Sequence, residues 1–333
     1  MNTTNSTYDG VLPKREKSPL TKTVRIIVAV AGTLALLVLG GRYLSLDVLK
    51  DSVHNLRILP ILGAIGVYTT VTAVRAGRFV LAGADITFGD AFSVAAVHAA
   101  LLRVMPFRSG ELAYAIMLKK MGKGELGQGI ATVAMLRLLD LAVVMVMAAS
   151  SVSAYFAGNP RTVQLVILLI SFAAMGIFFF ASTSMANFLD RVVRPAKERE
   201  KVPFWAKAVG AVSATLRLTL KRRILLIAST AFLWFLMLTW FYLLMRGVGV
   251  TIDYQSGLSA GMLGIVGSIL PLSVVGSFGP MEGGFALGFV ALGFTAEVAA
   301  TRAVLLSSFS LINNWLIAIP GWIWYLTKSV KNK

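Results

Sequence analysis

The chain has 333 residues, with 32 Lys and Arg against 15 Asp and Glu, a formal net charge of +17. Hydrophobic residues make up 57% and charged residues 14%, where soluble domains run at roughly 45–50% and 25%; this composition excludes most soluble enzymes and indicates a polytopic membrane protein. With no Cys and only His54 and His98, disulfides, thiol catalysis and Cys-based metal or iron–sulfur sites are excluded, little remains for a zinc site, and the basic balance is explained by topology without nucleic acid.

Residues 1–23 are polar with two prolines and read as a disordered, cytoplasmic N-terminus. A spanning helix needs about 20 mostly apolar residues. The clear candidates are 24–44, 57–74, 129–157, 162–182, 223–246 and 302–326. The first is longer than a signal-peptide core and lacks a small-x-small cleavage site, so it reads as a retained anchor. Two other apolar stretches, 91–118 and 257–293, are broken near the middle by Gly and Pro with a carboxylate beside them.

Charge orients these segments. Lys14, Arg15, Lys17, Lys22 and Arg25 place the N-terminus in the cytoplasm, and Arg75 and Arg78 mark the return of the second span. The cluster Lys119, Lys120 and Lys123 is again cytoplasmic, so 91–118 enters and leaves on one side as a re-entrant hairpin. The basic loop 183–222 and the tail Lys328, Lys331, Lys333 are also inside, which makes 257–293 a second hairpin entered from outside. Outside fall Arg42, Lys50, Arg57, Arg161, Arg246 and Arg302. The expected fold is an all-α polytopic membrane protein of about six spanning helices plus two opposed re-entrant hairpins in an inverted repeat. Residues 24–157 form the first half and 158–333 the second. Within the basic loop, Trp205, Val209, Val212, Leu216 and Leu220 recur at helical spacing beside Lys207, Arg217 and Lys221, the pattern of an amphipathic helix on the inner leaflet or packed on the bundle.

The first hairpin tip reads Met105-Pro106-Phe107-Arg108-Ser109-Gly110-Glu111. Pro106 ends the preceding helix, and the following one starts near Ser109 with free N–H groups and a positive dipole end. Arg108 adds a planar donor fork, so Arg108, Ser109, Gly110 and the nearby Arg103 form a candidate site for a lipid phosphate. Glu111 is placed to cap its helix or pair with Arg108. The second tip, Gly276 to Gly284, repeats the device with Gly279, Pro280, Glu282 and Gly283. Glu282 has three open roles: pairing with Arg137, capping its own helix, or titrating as a coupling carboxylate. Arg137 and Asp140 share a helix face at i, i+3 and read as a bracing pair. His98 reads as a satisfied interhelical hydrogen bond, and Asn313 and Asn314 as interhelical glue. Gly122 to Gly127 matches GxGxxG without a preceding strand, so it carries no nucleotide site.

The blocks Pro106-Phe-Arg108-Ser-Gly110-Glu111, Leu118-Lys-Lys120 and Arg137-Leu-Leu-Asp140 resemble the transmembrane, flippase-like region of lysylphosphatidylglycerol synthases. Gly276 to Gly284 and Pro320-Gly321 are similar to that family's second signature. The resemblance implies translocation of an anionic, phosphate-bearing lipid between leaflets of a bacterial inner membrane, with both termini cytoplasmic. It also implies an alternative, a non-catalytic membrane partner of lipid-modifying or glycosyl-transferring enzymes; separately from the resemblance, Glu111, Asp140 and Glu282 as acid or base would suit a membrane-embedded transferase. No cofactor or metal is expected. Family members often carry an Arg midway along the last span; here Ser307, Ser308 and Ser310 stand there, leaving Arg302 as the second-half candidate.

Overall fold

A computed structural model of the chain describes residues 45–105, 110–152, 182–197, 217–269 and 279–331, with scattered positions in 165–176 and 206–213. The first expected span, the tip residues Pro106, Arg108 and Ser109, and most of the fourth span lie outside the described residues. All regular structure described is helical: α1 (Leu46–His54), α2 (Ile58–Leu81), α3 (Phe88–Val104), α4 (Glu111–Lys120), α5 (Leu126–Val152), α6 (Ser182–Lys197), α7 (Leu220–Gly247), α8 (Tyr254–Ile269), α9 (Pro280–Ala291) and α10 (Ala296–Lys331).

Four of these are long and apolar enough to cross a membrane: Ile58–Leu81, Leu126–Ala149, Leu220–Gly247 and Ala296–Lys328. At 1.5 Å per residue, 24 residues reach about 36 Å, past a hydrocarbon core of about 30 Å. The 10 residues of α4 and 12 of α9 reach only about 15 and 18 Å, half a crossing.

Both broken segments fold back on themselves. A Cβ at Gly110 would lie 2.8 Å from the backbone of Leu101 and Leu102, and the Tyr114 and His98 rings sit 6.2 Å apart, so α4 runs back along α3. The return of α9 along α8 is closer still. A Cβ at Gly267 would meet the Pro280 carbonyl at 2.0 Å, one at Gly284 the Leu263 carbonyl at 2.2 Å, and one at Gly288 the Ala260 Cα at 2.8 Å. These three contacts step in antiparallel register, and glycine lets the backbones approach as small residues do between membrane helices. Gly279 precedes α9 at φ 117°, a conformation open to glycine, and Pro280 opens the helix where its missing N–H costs nothing.

Among the described residues the core gathers around Tyr68, Trp240, Phe241 and Phe285, and around Phe79, Val94 and Tyr114. α2 and α7 pack antiparallel: Arg57 N–H donates to Gly247 O at 2.9 Å, and Tyr68 stacks on Trp240 at 4.4 Å. Helix α10 packs on α3 and α5 on α8, each closing span meeting the first arm of the other half's broken pair. α3 lies antiparallel to α10, with Trp324 donating to Asp90 at 3.1 Å near one end and Ser93 bonding Gly321 O. Lys119, Lys120, Lys123, Lys221, Arg222 and Lys328 collect at the end where α4 and α10 finish and α7 begins, here the lysine-rich end. α1, the α7–α8 loop and the start of α10 form the opposite end, tied by Ser45 N–H to Thr301 Oγ1 at 3.1 Å. In that loop Asp253 accepts from Ser256 N at 3.0 Å and Oγ at 2.6 Å, bonds that hold its carboxyl below the usual range.

The structure departs from the sequence expectation in two places. Helix α2 continues to Leu81, so Arg75 and Arg78 belong to the helix rather than to a cytoplasmic loop, and Arg78 is buried. The loop 183–222 contains α6, against which part of the amphipathic stretch packs: Val193 meets Ala206 and Val209, and Ser213 Oγ donates to Ala186 O.

Candidate lipid site within the bundle

A cavity of about 160 Å³ opens where the two broken pairs face each other. Its polar lining comes from Arg75 and Tyr68 of α2, Arg103 of α3, Glu111 of α4, Arg137 of α5 and Asn314 of α10. Trp234, Met237, Trp240, Phe241, Ile265 and Met281 supply apolar walls. Counted along their helices from the lysine-rich end, Arg75, Arg137 and Arg103 lie about 9, 16 and 22 Å deep.

Each arginine is held differently. Arg137 Nε pairs with Glu111 Oε1 at 3.0 Å, and its Nη1 stands 3.8 Å from Asp140 Oδ2. Glu111 therefore neutralises Arg137 across two helices. The expected Arg137–Asp140 pair is present, but it is the longest of three contacts to that carboxylate. Asp140 Oδ1 accepts from Arg78 Nη2 at 2.7 Å and from Trp234 Nε1 at 3.1 Å, joining α2, α5 and α7. Arg103 is half-buried; Nη2 donates to Ser310 Oγ at 2.7 Å and Nη1 to the Met281 sulfur. The serine stretch of the last span thus receives an arginine from the other half. Arg75 has no hydrogen-bond or ion-pair partner among the described residues, and its Nη1 is buried.

Glu282 caps α9: Oε2 accepts from Gly279 N at 2.7 Å. That bond realises the capping arrangement, and the Glu282 charge remains in Coulombic reach of Arg103. Gly110 is buried against α3, Pro280 lines the cavity, and a Cβ at Gly283 would meet nothing within 4 Å. Asn314 acts as interhelical glue, accepting from the Tyr68 hydroxyl and donating to Ser310 O at 2.7 Å. His98 differs from expectation: both ring nitrogens are buried without a hydrogen-bond partner among the described residues, beside Phe79 and Tyr114. Of the residues singled out in sequence, the structure brings Arg103, Glu111 and Arg137 to the cavity, with Asp140 beside Arg137, and adds Arg75, Tyr68 and Trp234 to the lining and Arg78 behind Asp140. The available signal was helical phase, since Tyr68, Arg75 and Arg78 fall on one face of α2 at intervals of seven and three residues.

Chemically, three guanidiniums against one lining carboxylate leave the cavity positive. Planar guanidinium forks match phosphate oxygens bidentately. A search of curated proteins found none that matches the chain. The profile of the family described as "Lysylphosphatidylglycerol synthase TM region" matches residues 25–321. On the strength of that match, which spans most of its length, the chain belongs to the lysylphosphatidylglycerol synthase transmembrane-region family.

Proposed function

We propose that the chain binds the phosphate of an anionic lipid in the cavity between its halves and carries that lipid between the leaflets of a bacterial inner membrane. The observation that carries this reading is Arg75, without a partner among the described residues, in a cavity that Arg103 also lines between two broken helix pairs. A guanidinium whose Nη1 is buried without a partner among the described residues is costly in a membrane, and such groups mark substrate paths. Broken backbone at membrane depth is tolerated where it lines a cavity, as the arms around Gly110 and Pro280 do. The lipid's phosphate would engage Arg75 and then Arg103 in turn while its chains stay in the bilayer.

The same reading takes the two broken pairs as re-entrant hairpins of an inverted repeat, with six spans and both termini in the cytoplasm. Two facts support it. Helices α2 and α7 pack antiparallel, and the packing of α3 on α10 is repeated, with halves exchanged, by that of α8 on α5. A twofold axis lying in the membrane plane generates both. The collection of lysines at one end agrees with that end being inside. Glu111 and Glu282 would set the charge of the site rather than perform chemistry, so no catalytic step is assigned.

The test is transbilayer movement of fluorescent phosphatidylglycerol in proteoliposomes, scored by dithionite quenching. Wild-type protein should accelerate the exchange, and Arg75→Gln should abolish the acceleration. Exchange no faster than in empty vesicles would refute transport. Lipid turnover by the pure protein, or a stoichiometric enzyme recovered with it, would then support the transferase or the partner reading.

A further inference from the structure

A second polar cavity, of about 230 Å³, lies at the α1 end of the bundle, outside the site described above. Asp51, Ser52 and Asn55 of α1 and its C-cap line it, with Arg57 at the start of α2, the Val248–Thr251 loop, and Arg302 of α10. We infer that this cavity is a binding site for a phosphate-ester anion, the headgroup of a lipid in the leaflet at the α1 end. It asks only for binding, and so stands or falls apart from transport through the inner cavity.

Four observations converge on it. Neither Arg57 nor Arg302 has an ion pair among the described residues; Arg302 only stacks over Phe294 at 5.4 Å. Arg302 Nε is buried without a hydrogen-bond partner, and so is the Ser52 hydroxyl, on a residue 1% exposed. A buried donor left unsatisfied is costly and calls for an explanation. An anion in the cavity supplies acceptors to both. The single lining carboxylate, Asp51, accepts from the Asn55 amide at 2.8 Å and stays in Coulombic reach of Arg302, so two guanidiniums face one carboxylate and the cavity keeps a net positive charge for an anion. Finally, the surface beside the cavity is apolar and exposed. Leu46, Leu49 and Val53 of α1 and Ile58, Leu59 and Leu62 of α2 stand outward, the stripe of a helix lying in a membrane interface. Acyl chains against that stripe bring a headgroup to the level of Arg57 and Arg302.

The test uses the purified full chain in detergent, titrated separately with inorganic phosphate and with short-chain phosphatidylglycerol below its micelle concentration. Binding is read by calorimetry. The double variant Arg57→Gln/Arg302→Gln should weaken phosphatidylglycerol binding at least tenfold at one site and leave a second, Arg75-dependent site in place. Arg57→Lys/Arg302→Lys should retain most of the binding, and Asp51→Asn should strengthen it. Loss of phosphate binding in parallel would identify the phosphate group alone as sufficient; loss confined to the lipid would show that the acyl stripe is required. If the glutamine variant does not fold, a photoactivatable phosphatidylglycerol on wild-type protein decides. Cross-links mapping to residues 51–57, 248–251 or 302 support the site. Unchanged titrations in a folded glutamine variant, or cross-links that avoid all three segments, overturn it.

Discussion

Asp140→Leu should be the most damaging single substitution in the bundle. The Asp140 carboxylate faces Arg78 at 2.7 Å, Trp234 at 3.1 Å and Arg137 at 3.8 Å, and the Arg78 side chain is 3% exposed. Removing the carboxylate strands a buried guanidinium, which costs about 3–5 kcal/mol. It also frees the Trp234 indole N–H, worth about 1 kcal/mol more. Arg78→Met is milder, because Asp140 keeps Trp234 and can draw in Arg137; about 2–3 kcal/mol is expected, below the usual cost of breaking a buried pair. The double variant removes the stranded guanidinium as well, so it should fall well below the Asp140→Leu value instead of reaching the sum. Equilibrium unfolding in mixed micelles with increasing dodecyl sulfate, followed by tryptophan fluorescence, measures all three. Additive costs, or Arg78→Met costing more than Asp140→Leu, would refute the arrangement of one carboxylate shared by two arginines.

Three further substitutions separate site from scaffold. Arg75→Gln should leave the unfolding midpoint within about 0.5 kcal/mol of wild type, since no partner among the described residues is lost, while abolishing lipid exchange. Gly267→Ala or Gly284→Ala drives a methyl into backbone at 2.0 or 2.2 Å and should cost about 1–3 kcal/mol or more, whereas Gly283→Ala, with open space around it, should be neutral or slightly stabilising in the same unfolding assay. Glu282→Ala removes the Gly279 cap and should cost about 1 kcal/mol; Glu282→Gln keeps an acceptor, so a transport defect in Gln at wild-type stability would reveal a role for the charge.

The long apolar runs that became α2, α5, α7 and α10 were readable because spanning a bilayer imposes length and composition on one continuous stretch. The breaks before Glu111 and at Gly279-Pro280 were readable for the same local reason, since proline and glycine interrupt helices wherever they stand. Pairing was not. Arg137 and Asp140 drew attention as i, i+3 neighbours, yet the nearest cation to Asp140 is Arg78, 62 positions away. Arg75 and Arg78 were assigned to a loop because a charge rule reads arginines near a span end as cytoplasmic, and it has no means of seeing a buried acceptor on another helix. Glu282 went the other way: three roles were open in sequence, and the backbone turn at Gly279 realises the capping one.

Arg75, Arg137 and Arg103 stand at successive depths about 6–7 Å apart along the bundle, with Arg57 at the far end of α2, about 27 Å from Arg75. Their spacing matters because their neutralisation is uneven. Arg137 is paired with Glu111, so a phosphate reaching it must compete with a carboxylate. Arg103 is hydrogen-bonded to a serine hydroxyl and a thioether but has no carboxylate within salt-bridge distance among the described residues. Arg75 has no partner among the described residues. An anion entering from the lysine-rich end therefore meets its strongest unmet donor first and, beyond it, a paired arginine that offers weaker attraction. If every arginine were free, the headgroup would be trapped where it first bound, since conduction needs binding strong enough to enter and weak enough to leave. The Glu111–Arg137 pair supplies that weakening between Arg75 and Arg103. On this reasoning Glu111→Gln should raise phosphatidylglycerol affinity and slow its exchange, whereas a carboxylate that merely held α4 to α5 would, when removed, lower stability and leave affinity unchanged.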